Sequence, residues 1–306
     1  MTERIIYQLI ELFVTALGML PRVVQKGMAD IIGLLWFKFD KRHRRVVMEN
    51  ITHAFGNQLS SREISMMTKR IFKNISLIIF EVGWCFKLSR DQLARYFTIK
   101  GLKNIKDAHK QGKGVIAVSC HMSNWELLVA GAAMSGFRFY GLYRKLDFKP
   151  LERFILQTRQ RLGTIMIPLG GASRKLYSLL ENGGVVGTML DQNMDWYQGV
   201  YVDFFGRPAC THKGVASLAI RTNAPVIPFS IVRENKNFVI EFGPEIPPSR
   251  TGDLTRDIET NTQNYTRAIE DIIRCHPDQW FWVHNRWKTK NLCPWPRQEK
   301  TGDGQT

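Results

Sequence analysis

The stretch GVIAVSCHMSNWELLVAGAAM, Gly114–Met134, reads as a buried strand running into a helix, with a titratable histidine at the junction. Such turns are ordinarily built from Gly, Ser or Asp, so His121 asks for a reason. Glu126 follows five residues on, and Ser123 with Glu126 has the spacing of a capping box at a helix start. Within one helix, positions i and i+5 lie about 140° apart. His121 and Glu126 can therefore meet only if His121 sits on the turn and Glu126 reaches back from the first turn of the helix, the boundary that the capping box predicts.

A carboxylate accepting from one imidazole nitrogen fixes the tautomer and leaves the other nitrogen as a base. The chain has no G-x-S-x-G nucleophile elbow. A His–carboxylate pair without a protein nucleophile suits activation of a substrate hydroxyl for attack on a carbonyl. The bland alternative is a structural histidine beside a capping glutamate. Position weighs toward the functional reading, because ligands of α/β sheets bind at the carboxyl ends of the strands. Cys120 is no partner for His121, since strand neighbours point to opposite faces.

Working outward, β-rich runs occur at Val115–Ser119, Phe137–Leu142, Thr164–Pro168, Val185–Leu190, Ala224–Val232 and Asn237–Gly243. Helical patterns separate them: Leu151, Phe154, Ile155 and Leu162 share one face, and SRKLYSLLENGG ends in a glycine stop. The expectation is an α/β fold, a central mixed sheet covered by helices on both faces. The first hundred residues are mostly helical in pattern, with a long periodic segment from Ser61 to about Lys87. The implied organisation is an N-terminal membrane-associated helical segment (1–45), an α/β domain (46–292, helical to about 112) and a disordered tail (293–306).

The 306 residues are 44% hydrophobic, enough for a substantial core, and 43 Lys and Arg against 27 acidic residues leave a net charge of +16. Such a surface attracts anions: nucleic acid, anionic headgroups or an acidic carrier protein. The five scattered cysteines form no C-x-x-C pair and no zinc spacing, which favours reduced thiols facing the cytosol. At the N-terminus, apolar Ile5–Leu20 and Val23–Phe39 are interrupted by Gln8, Glu11, Gln25, Lys26 and Asp30, and the basic run KFDKRHRR follows. Neither run is a clean span of roughly 20 apolar residues, and a cleaved signal peptide fits poorly. Helices lying on an anionic membrane face fit the pattern; a core helix followed by a solvated basic loop is the alternative.

The residues SCHMSNWELL resemble the H-x-x-x-x-D/E motif of the glycerolipid acyltransferase superfamily. With YRKLDFKPLERFI, GGVVGTMLDQN, FFGRPACTHKG, APVIPF and DQWFWVHNRWK in order along the chain, the sequence resembles the late acyltransferases of lipid A biosynthesis, the lauroyl/myristoyl transferases. The resemblance implies transfer of a fatty acyl chain from acyl carrier protein to a hydroxyl of a phosphorylated lipid A precursor. It places the protein at the inner membrane, with its site on the cytoplasmic side. His121 would be the general base and Glu126 its orienting partner. Arg144, in the second motif, would hold phosphate or stabilise an oxyanion; Asp191, Gln192, Arg174 and Lys213 are further candidate substrate contacts. LDQN departs from the F-P-E-G-type motif of glycerol-phosphate acyltransferases, which weakens a glycerophosphate acceptor. A thioester is already activated, so the chemistry needs a base and oxyanion donors, and no metal or cofactor.

Two rival functions remain at this stage: an acyltransferase for another membrane lipid, a lysophospholipid or glycolipid, and a basic membrane- or nucleic-acid-binding module. The second has no use for His121–Glu126, and no nucleic-acid motif occurs. Trp280, Phe281, Trp282 and Trp287, interleaved with Arg286, Lys288 and Lys290, suit a membrane interface or a core element equally. His284 among them reads as structural.

Overall fold

A computed structural model describes residues 2–161 and 163–290. Leu162, Cys293 and the expected tail lie outside the described residues. The chain runs α1 (Thr2–Met19), α2 (Arg22–Phe39), α3 (Lys41–Phe55), α4 (Ser61–Lys87), α5 (Arg90–Ala94), β1 (Phe97–Lys100), α6 (Leu102–Lys110) and β2 (Val115–Ser119). It continues with α7 (Trp125–Met134), β3 (Phe139–Tyr143), α8 (Lys149–Gln160), β4 (Ile165–Pro168), α9 (Ser173–Glu181) and β5 (Val185–Met189). The hairpin β6 (Gly199–Phe204) and β7 (Arg207–His212) follows, then α10 (Gly214–Thr222), β8 (Val226–Glu234), β9 (Asn237–Phe242) and α11 (Leu254–Cys275).

Seven strands form one mixed sheet in the order β1-β9-β8-β2-β5-β3-β4, antiparallel only between β8 and β9. Strand β2 shows why both faces are covered. Val115 and Ala117 enter a core with Ile105 of α6 and Leu127 of α7. Ile116 and Val118 enter another with Leu180 of α9, Ala216 of α10 and Ile269 of α11. A strand apolar at every position needs a helical layer on each side.

Three strands lack an obvious sequence signal. β1 is four residues long, inside the lead-in expected to be helical to about 112, and it pairs in parallel with β9. The β6–β7 hairpin turns through Phe205 and Gly206, both at positive φ. Asn or Asp ordinarily precedes Gly in such a turn. Phe205 is retained because its ring is buried against Phe55 and Trp282.

Helices α1 and α2 meet at 115° and both pack on α4. A Cβ at Gly18 would fall 2.0 Å from the carbonyl carbon of Gly83, so only glycine allows this approach of α1 to α4. No single helix among the described residues is long and apolar enough to cross a membrane, although the bent pair passes that test jointly. Its outward side is apolar: Val23 is 76%, Met19 68% and Leu12 66% exposed.

Candidate active site

His121 lies two residues beyond β2, at the carboxyl end of the sheet. The turn is held from the C-terminal segment: Phe281 N–H donates to His121 O at 3.0 Å, Ser123 N–H to Gln279 O at 2.7 Å, and Met122 bridges to Trp280. The Gln279 side chain in turn bonds both backbone groups of Arg233 on β8, at 2.9 and 3.0 Å.

The partner of the imidazole is Asp191, two residues beyond the neighbouring strand β5. His121 Nδ1 lies 2.8 Å from Asp191 Oδ1, while Oδ2 accepts from His121 N–H at 2.9 Å and from Trp280 Nε1 at 2.7 Å. Asp191 is buried with both oxygens engaged, so the substrate contact expected of it is corrected: this carboxylate faces the histidine. Burial opposes its charge, but the His121 charge and these hydrogen bonds win and hold its pKa below the carboxylate range. Burial likewise opposes charge on His121, yet Asp191, and more weakly Glu126, raise the imidazole pKa above its ordinary value.

The role expected of Glu126 changes accordingly. Ser123 has φ +53° and its buried hydroxyl finds no partner among the described residues. Asn124 is the N-cap, so the Ser123–Glu126 capping box does not form. A capping serine needs an extended backbone, whereas Ser123 must reverse the chain toward Gln279. Glu126 makes no hydrogen bond to His121 among the described residues. It accepts a two-pronged bond from Arg159 of α8, Nε at 2.7 Å and Nη2 at 2.8 Å, and a third from Trp125 Nε1 at 3.1 Å. This pairing outweighs the burial of Arg159 and raises its pKa further.

Beneath the turn, buried Glu81 of α4 binds Arg233 through Nε and Nη2 at 2.6 and 2.7 Å and accepts from Asn124 Nδ2 at 3.0 Å. Removing one member of such a pair typically costs about 3–5 kcal/mol. The site therefore rests on a stiff base.

His121 opens onto a cavity of about 360 Å³ between the sheet, α7 and α8. Gln192 Nε2 sits 3.3 Å from His121 Nε2, at the cavity edge. Arg144 and Arg159 line the cavity, and its interior is mostly aliphatic and aromatic. Exposed Arg174 and Lys213 lie outside it, at the starts of α9 and α10. The cavity brings His121, Arg144 and Gln192 together, with Arg159, which the sequence did not single out, and Trp280 holds Asp191 beside it. The aromatic C-terminal segment is core: Trp280, Trp282 and Arg286 are buried, Arg286 bonding Cys210 O at 2.7 Å. His284 Nε2 accepts from Asn193 N–H at 2.8 Å, and burial lowers its pKa to about 4. Among the described residues no group of three or more His, Cys, Asp or Glu could hold a metal ion.

The profile of the family described as "Bacterial lipid A biosynthesis acyltransferase" matches residues 1–289. The lipid A biosynthesis lauroyltransferase of Escherichia coli is 28% identical over 265 residues, 85% of this chain and 83% of that protein. The palmitoleoyltransferase of the same organism is 24% identical over 280 residues, 89% of this chain and 87% of its own. A phosphatidylinositol mannoside acyltransferase of Mycobacterium tuberculosis is 28% identical over 206 residues, 66% of this chain and 62% of its own.

Proposed function

The chain belongs to the bacterial lipid A biosynthesis acyltransferase family, and from that premise we propose that it moves a fatty acyl chain from an acyl carrier protein thioester to a hydroxyl of a lipid A precursor. Membership supports acyl transfer in lipid A synthesis. One observation carries it. His121 has Nδ1 engaged by a buried carboxylate and Nε2 turned to an apolar cavity rimmed by arginines.

The acceptor hydroxyl takes the place of the Gln192 amide beside His121 Nε2 and gives up its proton there. The alkoxide oxygen attacks the thioester carbonyl, forming a C–O bond and a tetrahedral oxyanion. Collapse breaks the C–S bond, and the imidazolium returns its proton to the departing thiolate. Asp191 holds the tautomer and stabilises the imidazolium. Arg159, which lines the cavity and pairs with Glu126 through Nε and Nη2, leaving Nη1 outside that pair, is the candidate for the oxyanion. Arg144, exposed at the mouth, suits the phosphate of the acceptor or donor. Arg174 and Lys213, exposed beyond the mouth, suit outlying phosphates.

The basic surplus favours an acidic donor protein and a phosphorylated acceptor. The exposed apolar side of the α1–α2 pair, with the basic run at Lys38–Arg45, suits a helix pair embedded in the cytoplasmic face of the inner membrane. Deleting residues before Arg42 should release the protein to the soluble fraction. The mycobacterial relative makes a different glycolipid acceptor the second reading. Purified protein given acyl carrier protein thioesters, with a lipid A precursor or a phosphatidylinositol mannoside, should acylate the former, as read by product mass. Acylation of the mannoside alone would select the second reading, and transfer to neither would overturn both.

A further inference from the structure

We infer that the in-register glycines Gly141 and Gly187 form a depth gauge that sets the length of the acyl chain this protein accepts. The inference rests on the acyl-transfer reading above and deepens it. Strands β2, β5 and β3 are parallel and in register, so side chains on the α7 side fall into rows. The first row, nearest His121, contains Ser119 and Met189. The second is Ala117, Gly187 and Gly141, and the third is Val115, Val185 and Phe139.

The first and third rows carry side chains of ordinary size, while the middle row carries almost none on these three strands, Met166 of β4 closing it beyond Gly141. The cavity follows that difference, running from His121 past Gly141 and Gly187 to Phe139 and Phe229. Phe229 is packed between Phe139, with ring centres 5.6 Å apart, and Phe242, at 4.7 Å. This aromatic stack is a rigid end wall. Four residues separate the first row from the third, about 13 Å along the strand. A straight apolar chain with its carbonyl beside His121 must cross the glycine row before it meets the wall.

Gly187 has no backbone reason to be glycine. Its φ is not positive, and an added Cβ would meet only Phe139 Cδ1 at 3.9 Å and Tyr140 O at 4.0 Å, ordinary contact distances. Gly141 is less free, since its Cβ would come within 2.9 Å of Met166 Sδ. A side chain at 187 would fold without strain and fill the cavity halfway down.

The test uses the full-length protein, Gly187→Ala and Gly187→Val, with acyl carrier protein thioesters of increasing even chain length and a lipid A precursor. Melting temperature should stay level. For the longest chains the wild type accepts, kcat/KM should fall by roughly tenfold or more, the scale by which a pocket discriminates methylenes. Shorter thioesters should react as before, and Val should shorten the limit more than Ala. An unchanged length profile, or a uniform loss at all lengths, would overturn the gauge while leaving acyl transfer standing. Binding of free fatty acids of graded length, read by displacement of a fluorescent fatty acid, gives a second measurement independent of turnover. If the wild type transfers no acyl group at all, the proposed function fails, and the binding series still decides: a shorter optimum in Gly187→Val supports the gauge, and an unshifted one overturns it.

Discussion

Two carboxylates flank the His121 turn, and they make different contacts. Asp191 is 70 residues from His121 in sequence and bonds it twice. Glu126 is five residues away and accepts its hydrogen bonds from Arg159 and Trp125. The reason is directional. Glu126, in the first turn of α7, faces Arg159 of α8, whereas the end of β5, hydrogen-bonded to β2 through Leu190 N–H and Ser119 O at 2.9 Å, places Asp191 beside His121. Nearness along the chain thus pairs Glu126 with Arg159, and strand adjacency pairs Asp191 with His121.

The variant with the largest expected effect removes what one carboxylate serves. His121→Ala should lower kcat by about 10²- to 10⁴-fold, the usual worth of general-base help, with acyl-donor binding retained. Near-normal turnover would end the comparison, since neither carboxylate would then matter to chemistry.

Asp191→Asn comes next, with kcat expected to fall on the order of 10²-fold or more through loss of tautomer control and imidazolium stabilisation. The pH profile sharpens the point. His121 must be neutral to act and its pKa is raised, so wild-type activity should climb with pH through a limb above 6.5. In Asp191→Asn the burial remains while the main raising charge is gone, so the limb should move to lower pH. A limb that stays in place would make Glu126 the controlling carboxylate.

Glu126→Gln should cost less, about tenfold in kcat. Its charge is a minor influence on His121, and the loss comes from releasing Arg159. Arg159→Lys should resemble it, because an ammonium cannot reproduce the two-pronged bond, and the double variant should lose little more than either single one. Additive losses would mean that the two residues act separately.

The sheet was legible because its central strands are short apolar runs between helical patterns, and the end of Val115–Ser119 located the site. His121 could be read because nothing about a strand-to-helix turn requires an imidazole. Asp191 was visible as a polar residue at a strand end, but its direction depends on strand order β2-β5-β3, which local pattern does not carry. Arg159 carries no local signal, because it lies on α8 and meets Glu126 only through the packing of α8 on α7. Trp280 looked equally suited to a membrane until its indole was placed against Asp191. The Ser123–Glu126 spacing misled because a capping box presumes an extended serine, and the contact with Gln279 imposes the opposite backbone.

The smallest effect concerns stability alone and sets His121 against its neighbour His284. Burial, with Arg286, His121 and Lys288 adding to it, outweighs the attraction of Asp191 and lowers the His284 pKa from 6.5 to about 4. A depressed folded-state value means that the neutral form is favoured by folding. The stabilisation is complete above pH 6.5 and fades as pH falls through about 4. Protonation would also break the acceptor bond that Asn193 N–H makes to Nε2. His121 has the opposite sign: its raised pKa gives a contribution that is full below pH 6.5 and is lost as pH rises through the folded-state value. Urea midpoints measured from neutral to acidic pH should therefore decline in wild type below 6.5. His284→Gln, whose amide oxygen can still accept from Asn193, should flatten that decline while leaving kcat near the wild-type level. A decline as steep in His284→Gln would assign it to other groups, and a large loss of kcat would bring His284 into the machinery that Asp191 serves.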